Sequence, residues 1–374
     1  MTDQVDFKAF SHIAEFLAAA PAERWREAWT RAASAGCLSL MSDNQAKSSM
    51  GKALACVKAL FRMGEICSDN GFTMGLSSHI WTVQHPLDQF GTREQKERYL
   101  PGFVNGESIG AYALTEAAAG SDAMALTTRA EAKDGGYVLN GAKTYIGMAP
   151  DCDVALVFAS TSPVRKSWGV SVFLVEKCDR GFSADAVQQK MGLNTLPMGE
   201  LTLKDCWVPA DRMLGHEGSG AQIFQATLNW ERAFILAPHI GAMARQLRAC
   251  SEFAQSRRTF GRPIIEHQSV SNRLADMSVR LETCTLITES AARAFDEGTQ
   301  LTRLAAMTNL HVSEAFLASS LDAVRTFGGA GFLSTSQASQ DTKDAIGGVI
   351  YSGTSDVQKQ IIARLTAQQT GGNE

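Results

Sequence analysis

The chain has 374 residues, of which 45% are hydrophobic and 20% charged, with a formal net charge of -4. A chain of this length can bury a core that is divided among two or three substructures. The slightly acidic balance and the lack of long basic runs argue against a nucleic-acid-binding protein. No uninterrupted apolar run reaches the ~20 residues that a membrane span needs, and the N-terminus does not read as a signal peptide. We therefore expect a cytoplasmic protein that binds neither nucleic acid nor membrane.

The cysteines and histidines do not indicate a metal site. The eight cysteines lie far apart without a C-x-x-C pair, and the seven histidines show no ligand spacing such as H-E-x-x-H. A disulfide framework or a zinc site would need closer spacings. We expect no metal, and reduced thiols that are mostly buried.

The first part of the chain, residues 1–110, has a helical pattern. Apolar residues recur at intervals of three and four in "FKAFSHIAEFLAAA", "AERWREAWTRAASAG" and "GKALACVKALFRMGEICSDN", as in helices with one buried face. Gly36 and Gly71 are predicted to end helices, because glycine adopts the left-handed conformation common at helix C-termini. This region is predicted to be a helical domain.

The middle part, residues 111–215, changes to the alternating or continuously apolar pattern of β-strands. The strand candidates are "GYVLNGAKTYI", "DVALVFAS", "GVSVFLVEK" and "GELTLKDCWVP", and turn-forming residues separate them. This region is predicted to be a compact β-domain.

In residues 216–374 the helical pattern returns in four long segments, 221–256, 268–297, 300–327 and 340–367. Four long helices predict a bundle, and the overall class is α+β, mainly α. The order differs from the alternating βαβ of a doubly wound sheet. "FGGAGF" therefore favours a turn between helices, with positive φ or close backbone approach, over a dinucleotide-binding loop.

Six stretches in order resemble one family, the acyl-CoA dehydrogenases. They are "YALTEAAAGSD", "LNGAKTYI", "LGHEGSG", "SRRTFGRPIIEHQ", "DAVRTFGGAGF" and "IYSGTSDVQ". The resemblance covers nearly the whole chain. It implies a flavoprotein with an N-terminal helical domain (1–110), a middle β-barrel-like domain (111–215) and a C-terminal four-helix bundle (216–374).

The resemblance also implies which residues bind FAD. Hydroxyls and backbone N–H groups in "YALTEAAAGSD" suit the acceptor edge of a flavin ring, and a guanidinium such as that of Arg257 suits a pyrophosphate. The implied FAD contacts are Tyr112, Leu114, Thr115, Gly120, Ser121, Tyr145, Gly147, Arg257, Thr259, Phe260, Gln268, Arg325, Gly329, Thr354 and Asp356. In the family the Arg257 and Arg325 segments reach the FAD of the neighbouring subunit, which implies a homodimer or homotetramer.

Some of these positions depart from the family pattern or have a structural alternative. Tyr145 stands where the family usually has Trp, and Asp356 where Gln is common. From the residues alone, each also has a structural interpretation. "YALTEAAAGSD" is typical of a strand-to-turn junction. Tyr145 could be an aromatic residue of the core, and Arg257 could lie at a solvated helix end.

The catalytic base is the largest departure from the family pattern. The family removes a proton from Cα of a thioester, often with a glutamate between Tyr351 and Gly353, but this chain has Ser352 there. Glu231, the only carboxylate between Glu217 and Glu252, lies in an apolar helical stretch, where burial raises the pKa of a carboxyl group.

Some branches of the family carry their base at the position of Glu231, with a small residue at that of Ser352. The resemblance therefore implies Glu231 as base and Ser121, Arg232 and Ser352 as substrate-binding residues, with the Ser352 N–H on the thioester carbonyl. The alternative for Glu231 is a structural ion pair with Arg232 or with a neighbouring helix.

Further stretches, including "GAKTYIGMAPDCD", "NWERAF" and "RLADMSVRLE", resemble the branch that oxidises prolyl or other acyl groups on carrier proteins. We expect such a carrier protein as substrate partner, and an electron-transfer flavoprotein or another electron acceptor. Three alternatives remain at this stage: a dehydrogenase of free short or branched acyl-CoA, a flavin-dependent monooxygenase, and a non-catalytic assembly protein.

Overall fold

The computed structural model describes residues 5–19, 21–42 and 51–371. Within these residues the order of helical, β and helical regions is as predicted. The outer ends of the first and third predicted domains, at residues 1 and 374, lie outside the described ranges.

The first region is helical. Its helices are α1 (Phe7–Ala19), α2 (Pro21–Ser34), α3 (Lys52–Ile66), α4 (Asn70–Ser78), α5 (His85–Phe90) and α6 (Arg93–Val104). A buried π-helical segment, His79–Gln84, joins α4 to α5. At the start of α6, Thr92 and Gln95 form a reciprocal capping box, which satisfies two N–H groups that the helix itself leaves unpaired. The Gln95 amide also donates to the carbonyl oxygen of Met213 (2.8 Å) and so ties this region to the β-domain.

The second region is a sheet of eight strands. They are β1 (Gly110–Ala113), β2 (Arg129–Lys133), β3 (Gly136–Gly147), β4 (Val154–Ser160), β5 (Val170–Glu176), β6 (Phe182–Ala184), β7 (Met198–Pro209) and β8 (Met213–Leu214). The order is β6-β7-β3-β2-β4-β5-β8, and β1 pairs in parallel with β4. Strands β4 and β5 are buried along almost their whole length, which explains their continuous apolar sequences.

The third region is the bundle. Its elements are α7 (Gly220–Phe234), α8 (Ala237–Ser256), β9 (Arg258–Thr259), β10 (Arg262–Pro263), α9 (Gln268–Asp296), α10 (Thr302–Phe327), α11 (Gly329–Phe332), α12 (Gln337–Gly348) and α13 (Ser355–Gly371). Helix α10 packs against α7, α8, α9, α12 and α13 and is therefore the centre of the bundle.

Two of the four predicted long helices are each divided in two. The segment 221–256 breaks at Ile235 and Leu236, because Pro238 has no N–H to donate and its ring clashes with the preceding turn. The segment 340–367 is interrupted at residues 349–354. Both breaks lie close to the candidate site described below.

Gly36 and Gly328 lie in turns next to helices, but Gly71 does not. Gly36 has φ +84° just after α2 and ends that helix as predicted, and Gly328 in "FGGAGF" has φ +62° at the turn between helices. The prediction for Gly71 was wrong, because α3 already ends at Ile66 and Gly71 lies in the first turn of α4. Polar Ser68 and Asp69 make that turn instead, and the Asp69 carboxylate accepts from the N–H of Phe72 (2.9 Å).

Helices α3 and α8 pack with their backbones in direct contact. A Cβ atom at Gly64 would overlap the carbonyl oxygen of Pro238, and one at Gly241 would overlap that of Phe61. Only glycine allows this approach. The contact fixes the start of α8, and hence the end of α7, against the N-terminal helices.

The cysteines are free thiols, as predicted, and all except Cys178 are buried. Over the described residues, no helix combines the length and the apolar character that crossing a membrane requires.

Candidate active site

The C-terminal half of α7 and the 349–354 loop meet at a carboxylate and a hydroxyl. Ser352 Oγ donates a hydrogen bond to Oε1 of Glu231 over 2.6 Å. The structure thus brings together the two positions that the sequence analysis singled out as candidates for the base. Glu231 reaches Ser352 because α7 breaks shortly after it, next to the interruption between α12 and α13.

The surroundings of Glu231 favour the protonated, neutral form of its carboxyl group more than water does at the protein surface. Burial raises the pKa of Glu231, while the Ser352 hydrogen bond and the charge of Arg232 lower it by less. Within the described residues no ion pair joins Glu231 to Arg232, whose Nε donates instead to the Ser352 carbonyl oxygen (3.3 Å). A desolvated carboxylate with one hydroxyl partner suits a general base better than a structural ion pair.

The loop that carries Ser352 is held in one conformation. Ser352 itself has φ +60°, which is unusual for a residue other than glycine. The buried amide of Gln358 donates to the carbonyl oxygens of Ser352 (3.0 Å) and Gly353 (2.8 Å). The Ser352 N–H has no acceptor among the described residues. This N–H is therefore available to a carbonyl oxygen of a ligand beside Glu231.

Tyr351 anchors the same loop from its other side. The Tyr351 hydroxyl and Nε2 of the buried His239 are 2.9 Å apart, and the His239 ring stacks on Phe316. Burial lowers the pKa of His239 to about 3, so that the imidazole is neutral. Neither residue was predicted as part of the site.

Tyr112, in the first strand of the sheet, lies near enough to Glu231 to be influenced by its charge. Burial raises the pKa of Tyr112 well above its ordinary value, and the charge of Glu231 adds to this, whereas the Thr227 hydroxyl lowers it. Thr227 precedes Glu231 by one helical turn, so both lie on one face of α7. Tyr112 on β1 thus lies close to the helix of the candidate base.

The end of β1 runs beside β3 and forms a candidate flavin groove. The Thr144 N–H donates to the Thr115 carbonyl oxygen (3.0 Å), and Lys143 Nζ donates to that of Leu114 (3.1 Å). A register shift between Lys143 and Ile146 gives Tyr145 φ +57° and leaves its side chain 64% exposed. Such a bulge redirects a side chain out of the regular alternation.

Free space and free donors in this groove fit a flavin. A Cβ atom at Gly120 or Gly147 would meet no other atom within 4 Å. The hydroxyls of Thr115 and Ser121 make no hydrogen bond within the described part of the chain. Open space next to an exposed aromatic ring and unpaired hydroxyls matches a planar ring system with hydrogen-bond acceptors on its edge.

Beneath this groove lies a buried ion pair. Glu116 Oε1 accepts from Lys143 Nζ (2.8 Å), and its two oxygens also accept from Thr127 and Thr128. Burial alone would raise the pKa of Glu116, but the hydrogen bonds from these three residues lower it to about 2. This network fixes the strand ends that carry Thr115 and Tyr145.

Six FAD candidates in the bundle lie away from Glu231, where α8 and α10 end. Phe253 and Phe327 are in ring contact (4.9 Å between centroids) and bring the ends of α8 and α10 together. The candidates exposed in this region are Arg257, Thr259, Phe260, Gln268, Arg325 and Gly329. Phe260 is 94% exposed and Phe332 83%, which is typical of a surface that a partner or ligand covers.

Two further candidates lie at the start of α13. Thr354 is partly buried, and its Oγ1 accepts weakly from the Val357 N–H (3.3 Å). Asp356 is exposed, and Lys359 Nζ lies 3.6 Å from its carboxylate. The structure places both next to the Ser352 loop, although Asp356 points to solvent.

Gln358 and His239 were not predicted as supports of the loop. Gln358 had appeared only as the last residue of the family stretch "IYSGTSDVQ", although an amide at an apolar position of a helix is itself a signal of a hydrogen-bonding role. His239 gave no comparable signal, because a lone histidine in an apolar stretch is most often a packed core residue.

Comparison with known proteins identifies the family. Its domain models match this chain in sequence order: acyl-CoA dehydrogenase N-terminal domain at 7–107, middle domain at 111–206 and C-terminal domain at 218–366. An L-prolyl-(peptidyl-carrier protein) dehydrogenase of Pseudomonas fluorescens is 39% identical over 337 residues, covering 90% of this chain and 89% of that protein.

Solved structures agree with this result. PigA with FAD and proline is 35% identical, with a TM-score of 0.90, and the match covers 97% of this chain and 96% of that one. The prolyl acyl carrier protein oxidase AnaB is also 35% identical, with a TM-score of 0.88 and coverage of 91% and 90%.

The fold and the site thus define a flavoprotein of the thioester-oxidising class. The chain belongs to the acyl-CoA dehydrogenase family. It is an FAD-dependent oxidoreductase whose reaction is the α,β-dehydrogenation of an acyl thioester.

Proposed function

We propose that the substrate is an aminoacyl or acyl thioester on the phosphopantetheine arm of a carrier protein, and that Glu231 is the catalytic base. The contact between Glu231 and Ser352 carries the proposal for the base, because it places a desolvated carboxylate beside a free backbone N–H. The carrier-protein substrate is supported by the relatives, which are named for prolyl groups on carrier proteins. The buried free thiols support a location in the reducing cytoplasm.

In this reaction Glu231 takes the proton from Cα of the thioester and becomes a neutral carboxylic acid. The Ser352 N–H donates to the thioester carbonyl oxygen and stabilises the negative charge that develops there. FAD, when bound, supplies the acceptor for the hydride that leaves Cβ. Arg232 and Gln358 hold the Ser352 carbonyl and so keep the N–H aimed at the substrate.

The FAD would be held by Tyr112, Leu114, Thr115, Gly120, Ser121, Tyr145 and Gly147 of one subunit. Arg257, Thr259, Phe260, Gln268, Arg325 and Gly329 would complete the site of a neighbour in a homodimer or homotetramer, with Thr354 and Asp356 at the α13 end. Electrons would then pass to an electron-transfer flavoprotein or another acceptor.

One rapid-mixing experiment tests the base. Bleaching of the bound flavin by a prolyl-carrier thioester is compared in wild type, Glu231→Gln and Ser352→Ala. Loss of reduction in Glu231→Gln alone is the expected result. Normal reduction in Glu231→Gln together with loss in Ser352→Ala would refute the assignment.

A second experiment tests the neighbour's contribution to the cofactor site. Arg257→Ala is expected to weaken FAD retention, because Arg257 forms no ion pair within the described residues and would face the pyrophosphate of a partner subunit. FAD affinity and molecular mass in solution are measured together. A monomer with stoichiometric FAD in the wild type would contradict this arrangement.

A further inference from the structure

A loop at residues 162–169, between β4 and β5, exposes large apolar side chains. Val164 is 93% exposed and Trp168 74%, and both lie in this one short loop beside the exposed cations Arg165 and Lys166. A monomeric protein seldom leaves such side chains together in water without an interaction that uses them. Tryptophan and arginine are also the residues that most often dominate binding energy in protein interfaces.

The base of this 162–169 loop is closed by hydrogen bonds. The N–H groups of Thr161 and Ser162 both donate to the Gly169 carbonyl oxygen (2.7 and 3.2 Å), and the Arg165 N–H donates to that of Ser162 (3.1 Å). At the tip Lys166 has φ +50°. The loop therefore presents its exposed side chains on a defined support, which reduces the entropy that a partner would lose on binding.

The loop lies at the end of the helix that carries the base. It packs against Ala123–Ala125, just after Ser121, and against the start of α7, where a Cβ atom at Gly218 would lie 2.7 Å from the Trp168 carbonyl oxygen. Glu231 follows Gly220, the first residue of α7, by eleven residues. At 1.5 Å per residue this is about 16 Å of helix, a distance that an extended pantetheine arm spans.

The charges of the loop favour an acidic partner. Arg165 and Lys166 form no ion pair within the described residues. The acidic residues on the neighbouring segments are Asp122 and Glu217, and the Glu217 carboxylate already accepts from the Tyr137 hydroxyl (3.2 Å). Two unpaired cations next to an exposed tryptophan, on a chain of net charge -4, form a local site for an acidic surface.

We propose that the 162–169 loop is the docking surface of the carrier protein. An acidic face of the carrier protein binds Arg165 and Lys166, an apolar residue of it packs on Val164 and Trp168, and the arm then runs past Ser121 along α7 to Glu231. This proposal rests on the proposed function, because it names the surface that the carrier-bound substrate uses.

The test compares one acyl group on two carriers. Flavin bleaching is measured anaerobically with a prolyl-loaded peptidyl carrier protein and with prolyl-pantetheine, for wild type, Arg165→Glu/Lys166→Glu and Trp168→Ala. The variants should lose about tenfold or more in kcat/KM for the carrier protein and keep the wild-type value for prolyl-pantetheine. Calorimetry with the unloaded holo-carrier protein should show the same loss of affinity. Lys133→Glu, at the exposed β2–β3 hairpin, is the matched charge control and should leave both substrates unaffected.

The outcomes separate this proposal from the proposed function. If the wild type reduces its flavin no faster with the carrier protein than with prolyl-pantetheine, the carrier-protein substrate itself is refuted. If the wild type prefers the carrier protein but the loop variants keep that preference, the docking surface alone is refuted. Variants that reduce normally but are reoxidised slowly by an electron-transfer flavoprotein would assign the loop to the electron partner and overturn the proposal.

Discussion

Two glutamates, the buried Glu116 and the partly buried Glu231, show how the same side chain acquires opposite properties in one protein. Glu116 lies beneath the flavin groove and accepts from Lys143, Thr127 and Thr128, so that its pKa falls to about 2. Glu231 accepts only from Ser352 among the described side chains, and burial raises its pKa.

The main difference lies in the donors, since desolvation acts on both carboxylates but only Glu116 has an ammonium and two hydroxyls as partners. Several donors together outweigh the cost of desolvation and keep Glu116 charged and unreactive as a base. One donor leaves that cost largely uncompensated at Glu231, so its affinity for a proton is higher. The comparison predicts that the first glutamate contributes mainly to stability and the second mainly to catalysis.

The largest expected effect follows from Glu231→Gln. Flavin reduction should fall by about 10²–10⁴-fold, because a positioned base contributes on this order to proton transfer. Introducing glutamate at position 352 in this background should restore part of the rate, since the 352 loop contacts the Glu231 carboxylate. Stopped-flow absorbance of the bound flavin measures both.

The Glu231→Gln variant should retain FAD and the circular dichroism spectrum of the wild type. Its loss of flavin reduction is then due to the missing base and not to unfolding. A variant that loses FAD would leave the rate uninformative, and flavin fluorescence after filtration detects this. A Glu231→Gln enzyme with full FAD and a normal rate of flavin reduction would contradict the role of Glu231 as the catalytic base.

Glu116→Gln should mainly reduce stability. It leaves the ammonium of Lys143, whose side chain is 0% exposed, without its counter-charge, and breaking such a buried pair costs about 3–5 kcal/mol. The ionised Glu116 contributes to the free energy of unfolding above its unfolded pKa. This contribution is lost as the pH falls from about 4.5 to about 2. Denaturant unfolding should show that the difference in unfolding free energy between Glu116→Gln and wild type becomes smaller as the pH falls through this range.

The double variant Glu116→Gln/Lys143→Met is the control for that result. Removing both charges should recover much of the lost stability, because no unpaired charge remains buried. If the single variant is as stable as wild type at pH 7, the network does not have the structural role inferred for it.

A smaller effect is expected from Ser352→Ala. The hydroxyl stabilises the charged form of Glu231, so its removal should raise the pKa of Glu231 further. The acid limb of the pH profile of flavin reduction should then move to higher pH, while the rate on the plateau changes little. A shift to lower pH, or none, would show that the hydroxyl does not interact with the ionised base.

The smallest effect concerns stability at position 231. Because the folded pKa of Glu231 is raised, wild-type stability falls as pH rises from the unfolded pKa to the folded one. Glu231→Gln should therefore be more stable than wild type near pH 7 by roughly 1 kcal/mol, because the variant has no carboxylate to desolvate there. Near pH 4 the two should unfold at the same denaturant concentration, and a constant difference would argue against a raised pKa.

Much of this fold could be predicted from sequence, because local apolar spacing indicated the helices and strands and six ordered stretches indicated the family. Glu231 could be singled out as a lone acid in an apolar stretch. Its contact with Ser352 could not, since 121 residues separate them and only tertiary packing brings them together. The break between α7 and α8 was missed because the periodic pattern continues across Pro238, where the missing N–H of proline interrupts the helix.

The glycine contact between α3 and α8 has a mechanical consequence. Since the two backbones touch at Gly64 and Gly241, no layer of side chains separates α3 from the start of α8. The end of α7, with Glu231, follows from α8 across a two-residue connection. Separation of this helix pair would break the close backbone contact. A thioester arm that enters from the docking surface proposed above, at the other end of α7, leaves that contact intact.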